Sequence, residues 1–98
     1  MDLQDIATKM NAAQAWLPGK KVKLVVGDEG ALMLDGQASQ VTTEDGAADT
    51  TLKASAADWE AMFNKQLDGM TAFMQGKLKV EGDMSNAMQL QGVLSKVG

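Results

Sequence analysis

A chain of 98 residues, 45% hydrophobic and 22% charged, carries one domain's worth of material, too short for two cores and too apolar for disorder. It contains neither histidine nor cysteine, which removes Ser-His-Asp and Cys-His nucleophiles, thiol redox chemistry, disulfides and any zinc site of His and Cys. Nine lysines and no arginine face thirteen carboxylates, a formal net charge of −4 that makes DNA and RNA unsuitable partners.

Residues 3–17 place Leu3, Ile6, Met10, Ala13 and Leu17 on one stripe, which predicts a helix stopped by Pro18-Gly19. Val22, Leu24 and Val26 then alternate with Lys21 and Lys23, and Ala31–Leu34 is a short apolar run. These read as two strands of a hairpin around Gly27-Asp28-Glu29-Gly30. Asp35-Gly36 turns into Gln37–Thr43, whose single large apolar residue, Val41, suits an edge strand. A fourth strand follows at Thr50–Ala54.

Ser55 and Asp58 have the spacing of a helix cap, opening a helix with an apolar face of Trp59, Met62, Phe63 and Leu67 that Asp68-Gly69 ends. A short amphipathic piece, Met70 to Gln75, leads to a fifth strand, Lys77–Glu81, and a last helix over 84–96 that Asp83 caps. This order predicts an α+β fold: a five-stranded, mainly antiparallel sheet covered on one face by helices, with residues 1–98 forming a single domain. The aliphatic runs fall far below the ~20 residues of a membrane span. The acidic N-terminus is no export signal, so the expected location is cytoplasmic.

Large flexible side chains are unevenly distributed. Five of the eight methionines, both phenylalanines and Trp59 fall between residues 59 and 88, on the elements expected to cover the sheet. Such residues ordinarily fill a core. Methionine's three rotatable bonds and polarizable sulfur also make it the side chain of apolar walls that repack around guests of different shape.

The segment Met70-Thr71-Ala72-Phe73-Met74-Gln75-Gly76-Lys77-Leu78-Lys79-Val80-Glu81-Gly82-Asp83-Met84 resembles the C-terminal signature of the sterol carrier protein type two family. There an Ala-Phe-x-x-Gly-Lys-Leu-x-x-x-Gly-(Asp/Asn)-Met stretch runs from a short helix through the last strand into the final helix. Val22–Gly36 is similar to the family's first hairpin, and Ala48–Phe63 to its polar strand and the following helix start.

The resemblance implies an SCP-2-like domain whose helices and sheet enclose an apolar tunnel. The tunnel would hold a fatty acid, fatty acyl-CoA, phospholipid or sterol without chemical change or cofactor. Trp59, Phe63, Leu67, Phe73, Met74, Met84, Met88 and Leu94 are the expected lipid-binding residues, and the last helix, weakened at Gly92, is the expected gate. Transient membrane contact is compatible with this role.

Two rival readings stand beside a carrier. One is an accessory module docking onto an acyl-chain-handling enzyme. The other is a small hydrolase or isomerase using Asp58 or Glu81, for which the chain shows no Walker motif, dinucleotide fingerprint or nucleophile elbow. The expectation is a binding protein rather than an enzyme, with neither metal nor cofactor.

Overall fold

The structure, a computed structural model, describes residues 2–94, the side chain of Leu94 excepted. Its first helix, α1 (Leu3–Ala12), starts at Asp2, whose carboxylate accepts the N–H groups of Gln4 and Asp5. It ends five residues before the expected stop. Gln14 takes a left-handed φ of 54°, the Gln14 N–H donates to Asn11 O and the Ala15 N–H to Met10 O. This pattern closes a helix without proline by satisfying its last carbonyls. Leu17 reaches the core by way of the following loop rather than along a helix face.

Strands β1 (Lys21–Val26), β2 (Gly30–Asp35), β3 (Gln40–Thr42), β4 (Thr50–Ala54) and β5 (Lys79–Gly82) form one sheet in the order β3-β2-β1-β4-β5. Only β1 and β4 pair in parallel. Register places Leu24 opposite Leu32 and Leu52, and Leu34 opposite Val22 and Val41, so the apolar residues share one face. That face meets Ala7 and Met10 of α1, Trp59, Ala72 and Leu90 in a common core, so the helices cover a single side. The expected α+β architecture is therefore the observed one.

The opposite face carries the lysines, together with Ala31 and Met33, which are also buried. Residues 43–49 run across this side from β3 to β4. Lys23 Nζ donates at 2.9 Å to both Asp45 Oδ1 and Gly46 O, and Gly46 lies against the Met33 methyl. The edge strand β3 is covered as well: Asn11 accepts the Val41 N–H at 2.7 Å and donates to Val41 O at 2.8 Å, imitating a further strand.

Three helices complete the layer: α2 (Ala56–Phe63), α3 (Gly69–Met74) and α4 (Met84–Leu94). Asp68-Gly69 does not end α2 as the sequence led us to expect. That helix closes at Lys65, whose φ is 62°, with Lys65 N–H donating to Met62 O and Gln66 N–H to Ala61 O. Asp68 instead caps α3, accepting the Thr71 N–H at 3.2 Å. The fifth strand begins at Lys79 rather than Lys77, because the N–H groups of Lys77 and Leu78 are held by Ala72 O at the end of α3. The expected extension of the last helix to residue 96 lies outside the described residues.

Candidate functional site

An apolar cavity of about 180 Å³ opens between α2, α3 and α4 on one side and β4 and β5 on the other. Its floor comes from the sheet. Leu52 and Val80 are register partners on β4 and β5, and the buried Leu78 arrives just before β5. Trp59 and Met62 of α2, Gly69, Met70 and Phe73 of α3, and Met84, Ala87, Met88 and Gln91 of α4 complete the lining.

Local chemistry sets each wall. Ser55 Oγ accepts the Asp58 N–H and starts α2 one turn ahead of Trp59. The indole is fully buried, and its Nε1–H donates to Val25 O at 2.8 Å, which fixes the ring against the sheet without leaving a polar atom unpaired. Within α3, Gly69 allows a close approach to α4: a Cβ there would sit 2.6 Å from Gln91 Nε2.

Helix α4 is pinned at its N-terminal end. Asp83 Oδ1 accepts the Ser85 N–H, and the buried Asn86 Nδ2 donates to Thr50 Oγ1, which itself donates to Asp83 O. From that anchor, residues 84, 87, 88 and 91 recur at helical spacing and turn one face to the cavity.

Among the described residues no ionisable side chain lines this cavity, and Gln91 supplies its one polar side chain. Met70, Met84 and Met88 are 39%, 44% and 59% exposed, so the lining continues to the surface as a methionine-rimmed mouth. The clear electrostatic perturbation lies on the other face of the sheet. There the Lys23 ammonium, by hydrogen bond and by charge, and then the Gly46 N–H hold the Asp45 carboxyl below the usual carboxylate range. Among the described residues no group of three His, Cys, Asp or Glu side chains could hold a metal ion, and no helix is long and apolar enough to cross a membrane.

Of the eight residues singled out from the sequence, Trp59, Phe73, Met84 and Met88 meet in this cavity. Phe63 does not line it; half-buried, it stacks on Trp59 with ring centroids 5.8 Å apart. Leu67 packs against the core beyond the end of α2, and Met74 stands 79% exposed at the end of α3. The side chain of Leu94 lies outside the described residues. The floor residues Leu52, Leu78 and Val80 fall within the expected fourth and fifth strands, where their alternation carries no sign of a cavity above them. Ala87 and Gly69 contribute by being small, which composition does not reveal.

An open mixed sheet with helices on one face only, enclosing an apolar cavity beneath its last helix, defines an α+β domain organised around a hydrophobic pocket. The model of the SCP-2 sterol transfer family matches residues 2–95, and the chain belongs to that family of lipid-binding domains, whose fold is generally non-catalytic.

Sterol carrier protein 2 of Bos taurus is 36% identical over 64 residues, 65% of this chain and 12% of that protein. The chain thus spans a small part of the length of the curated relatives it matches. A solution structure of sterol carrier protein-2 from Aedes aegypti, in complex with the C16 fatty acid palmitate, matches with a TM-score of 0.79 over 100% of both chains at 17% identity. The stereoselective inverting sec-alkylsulfatase Pisa1 from Pseudomonas sp. contains the same fold, with a TM-score of 0.65 over 90% of this chain and 15% of that one, at 23% identity.

Proposed function

We propose that this chain acts as a single cytoplasmic domain that binds an apolar lipid (a fatty acid, fatty acyl-CoA, phospholipid or sterol) in the methionine-rimmed cavity. It transfers the lipid without chemical change. The observation that carries this reading is the cavity itself, walled by apolar side chains of three helices and floored by Leu52, Leu78 and Val80. Cavities of roughly 150 Å³ lined by aliphatic and aromatic residues stay dry and admit benzene. One of about 180 Å³ therefore takes a comparable stretch of hydrocarbon, on the order of six carbons. At ~0.8 kcal/mol per buried methylene, that stretch contributes roughly 5 kcal/mol before the costs of association.

A longer chain continues along Met70, Met84 and Met88 at the mouth, or enters further as α4 swings about its Thr50–Asn86 anchor. We assign contact with the lipid to Trp59, Phe73, Met84 and Met88 and to the floor and wall residues that meet them.

Titration of the purified protein with a fluorescent fatty acid tests this reading, with stoichiometric uptake as the expected result. Native mass spectrometry of the protein as isolated identifies a retained lipid by its mass. A second reading, an accessory module whose apolar face docks onto an acyl-handling enzyme, is favoured by the small share of Pisa1 and of Bos taurus sterol carrier protein 2 that the match to this chain covers. It predicts no lipid uptake by the chain alone and co-purification with an enzyme.

A further inference from the structure

We propose that the pocket mouth is a methionine oxidation site, at which peroxide-class oxidants convert Met70, Met84 and Met88 to sulfoxides and close the pocket to apolar ligands; this rests on the lipid-binding reading above. The eight methionines are not equivalent. Met70, Met84 and Met88 line the cavity and are also open to solvent, at 39%, 44% and 59% exposure, whereas Met10 and Met33 are buried at 0% and 7%. Met74 is the most exposed of these, at 79%, yet lies outside the cavity. With no cysteine in the chain, no thiol competes for the oxidant.

The chemistry balances without a further reactant. The thioether sulfur attacks one peroxide oxygen, the O–O bond breaks, and a sulfur–oxygen bond forms. The sulfur loses two electrons, the proton on the transferred oxygen passes to the departing one, and that oxygen leaves as water, or as an alcohol from an alkyl peroxide. Reduction by a dithiol, giving a disulfide and water, restores the thioether.

A flexible apolar side chain thereby becomes a polar one with a strong acceptor. Among the described residues, Gln91 is the one side chain in the lining able to donate a classical hydrogen bond into the cavity, because the Trp59 N–H is already committed to Val25 O. The Gln91 amide has two N–H donors, so at least one of three sulfoxides at the mouth faces a bound hydrocarbon without a side-chain donor from the pocket wall. Ligand entry desolvates that group unpaired, which weakens binding by about tenfold or more.

The full chain is treated with hydrogen peroxide, desalted, mapped for sulfoxide at each methionine by mass spectrometry, and titrated with a BODIPY-labelled hexadecanoic acid. The expected result is faster oxidation at positions 70, 74, 84 and 88 than at 10 and 33, with affinity about tenfold lower once 70, 84 and 88 are oxidised. Saturating probe protects Met70, Met84 and Met88 but not Met74. M70L/M84L/M88L, a volume-conserving change, holds its own untreated affinity after peroxide, while M74L loses affinity as the parent does.

Unchanged affinity with all three residues oxidised overturns the proposal. So does equal loss in the triple variant, or a loss that accompanies thermal unfolding of the oxidised protein. Failure of the underlying reading looks different: the untreated protein then takes up no probe, which removes the carrier and the gated pocket together.

Discussion

Replacing Ala87 by leucine sets the cavity against the alternative of a filled core. Ala87 is 7% exposed and faces the cavity from the first turn of α4. Leucine adds three carbons there, worth roughly 2.4 kcal/mol of gross transfer energy at ~0.8 kcal/mol each. Lost rotamer freedom removes about 0.5–1 kcal/mol of that, leaving a gain of about 1.5–2 kcal/mol. For a domain of this size each kcal/mol moves Tm by about 4–8 °C, so A87L melts roughly 6–16 °C above the parent when followed by circular dichroism. The same three carbons occupy space that a ligand otherwise fills. A lipid displaced by three methylenes loses roughly 2.4 kcal/mol, about sixtyfold in Kd, read by titration with a fluorescent fatty acid. The reasoning fails if A87L melts below the parent while binding is unchanged. Overpacking of a filled core costs about 1–3 kcal/mol and leaves a distant ligand untouched.

Four further predictions probe the frame around the site. G36A should fail to fold or melt early in urea, by more than about 3 kcal/mol, since a Cβ at Gly36 would overlap the Leu17 carbonyl oxygen and lie 2.8 Å from Lys20 O, both of them backbone. K65G should raise stability by about 0.5–1 kcal/mol in the same assay, because Lys65 closes α2 in a left-handed conformation that glycine adopts without strain. T50V should destabilise by about 1–3 kcal/mol, stranding the buried Asn86 amide and Asp83 O. For Asp45, whose folded pKa is lowered, the stabilising contribution is complete above the ordinary carboxylate range and is lost as pH falls through the lowered value. D45N should therefore be less stable than the parent near neutrality, with the gap closing on acidification in pH-dependent denaturation.

The sheet was readable because strands with one buried face write their orientation as alternation: Val22, Leu24 and Val26 against Lys21, Lys23 and Val25. The helix ends were not. Gln14 and Lys65 occupy the left-handed closing position that glycine usually marks, so neither looks like a stop. Periodicity also fails on short helices. With eight residues in α2 and six in α3, a stripe spans barely two turns. Phe63 and Met74 then share the composition of pocket residues without sharing the face. On α4, eleven residues long, Met84, Met88 and Gln91 recur at helical spacing and do share the cavity face. What no pattern disclosed was the space itself, which follows from Gly69 and Ala87 being small where α3 and α4 meet the sheet.

The molecule divides into a half that is filled and a half that adapts. Around β1, β2 and α1, the residues Met10, Val22, Leu24, Leu32 and Leu34 are wholly buried and interlock in one core. Around β5, α3 and α4, beside the buried Ala72 and Leu90, the large side chains Met70, Phe73, Met74, Met84 and Met88 are between 38% and 79% exposed, over a four-residue strand. A core packed throughout would be more stable, yet it would leave a guest no room and no wall able to follow its shape. Binding elements come from the weakly packed end of a structure because they must open. Here the anchor of Thr50, Asp83 and Asn86 holds the first turn of α4 to the sheet. On the proposed lipid-binding reading, ligand entry therefore moves the helix beyond it, where Met88 and Gln91 border the cavity and Gly92 lowers helical stability.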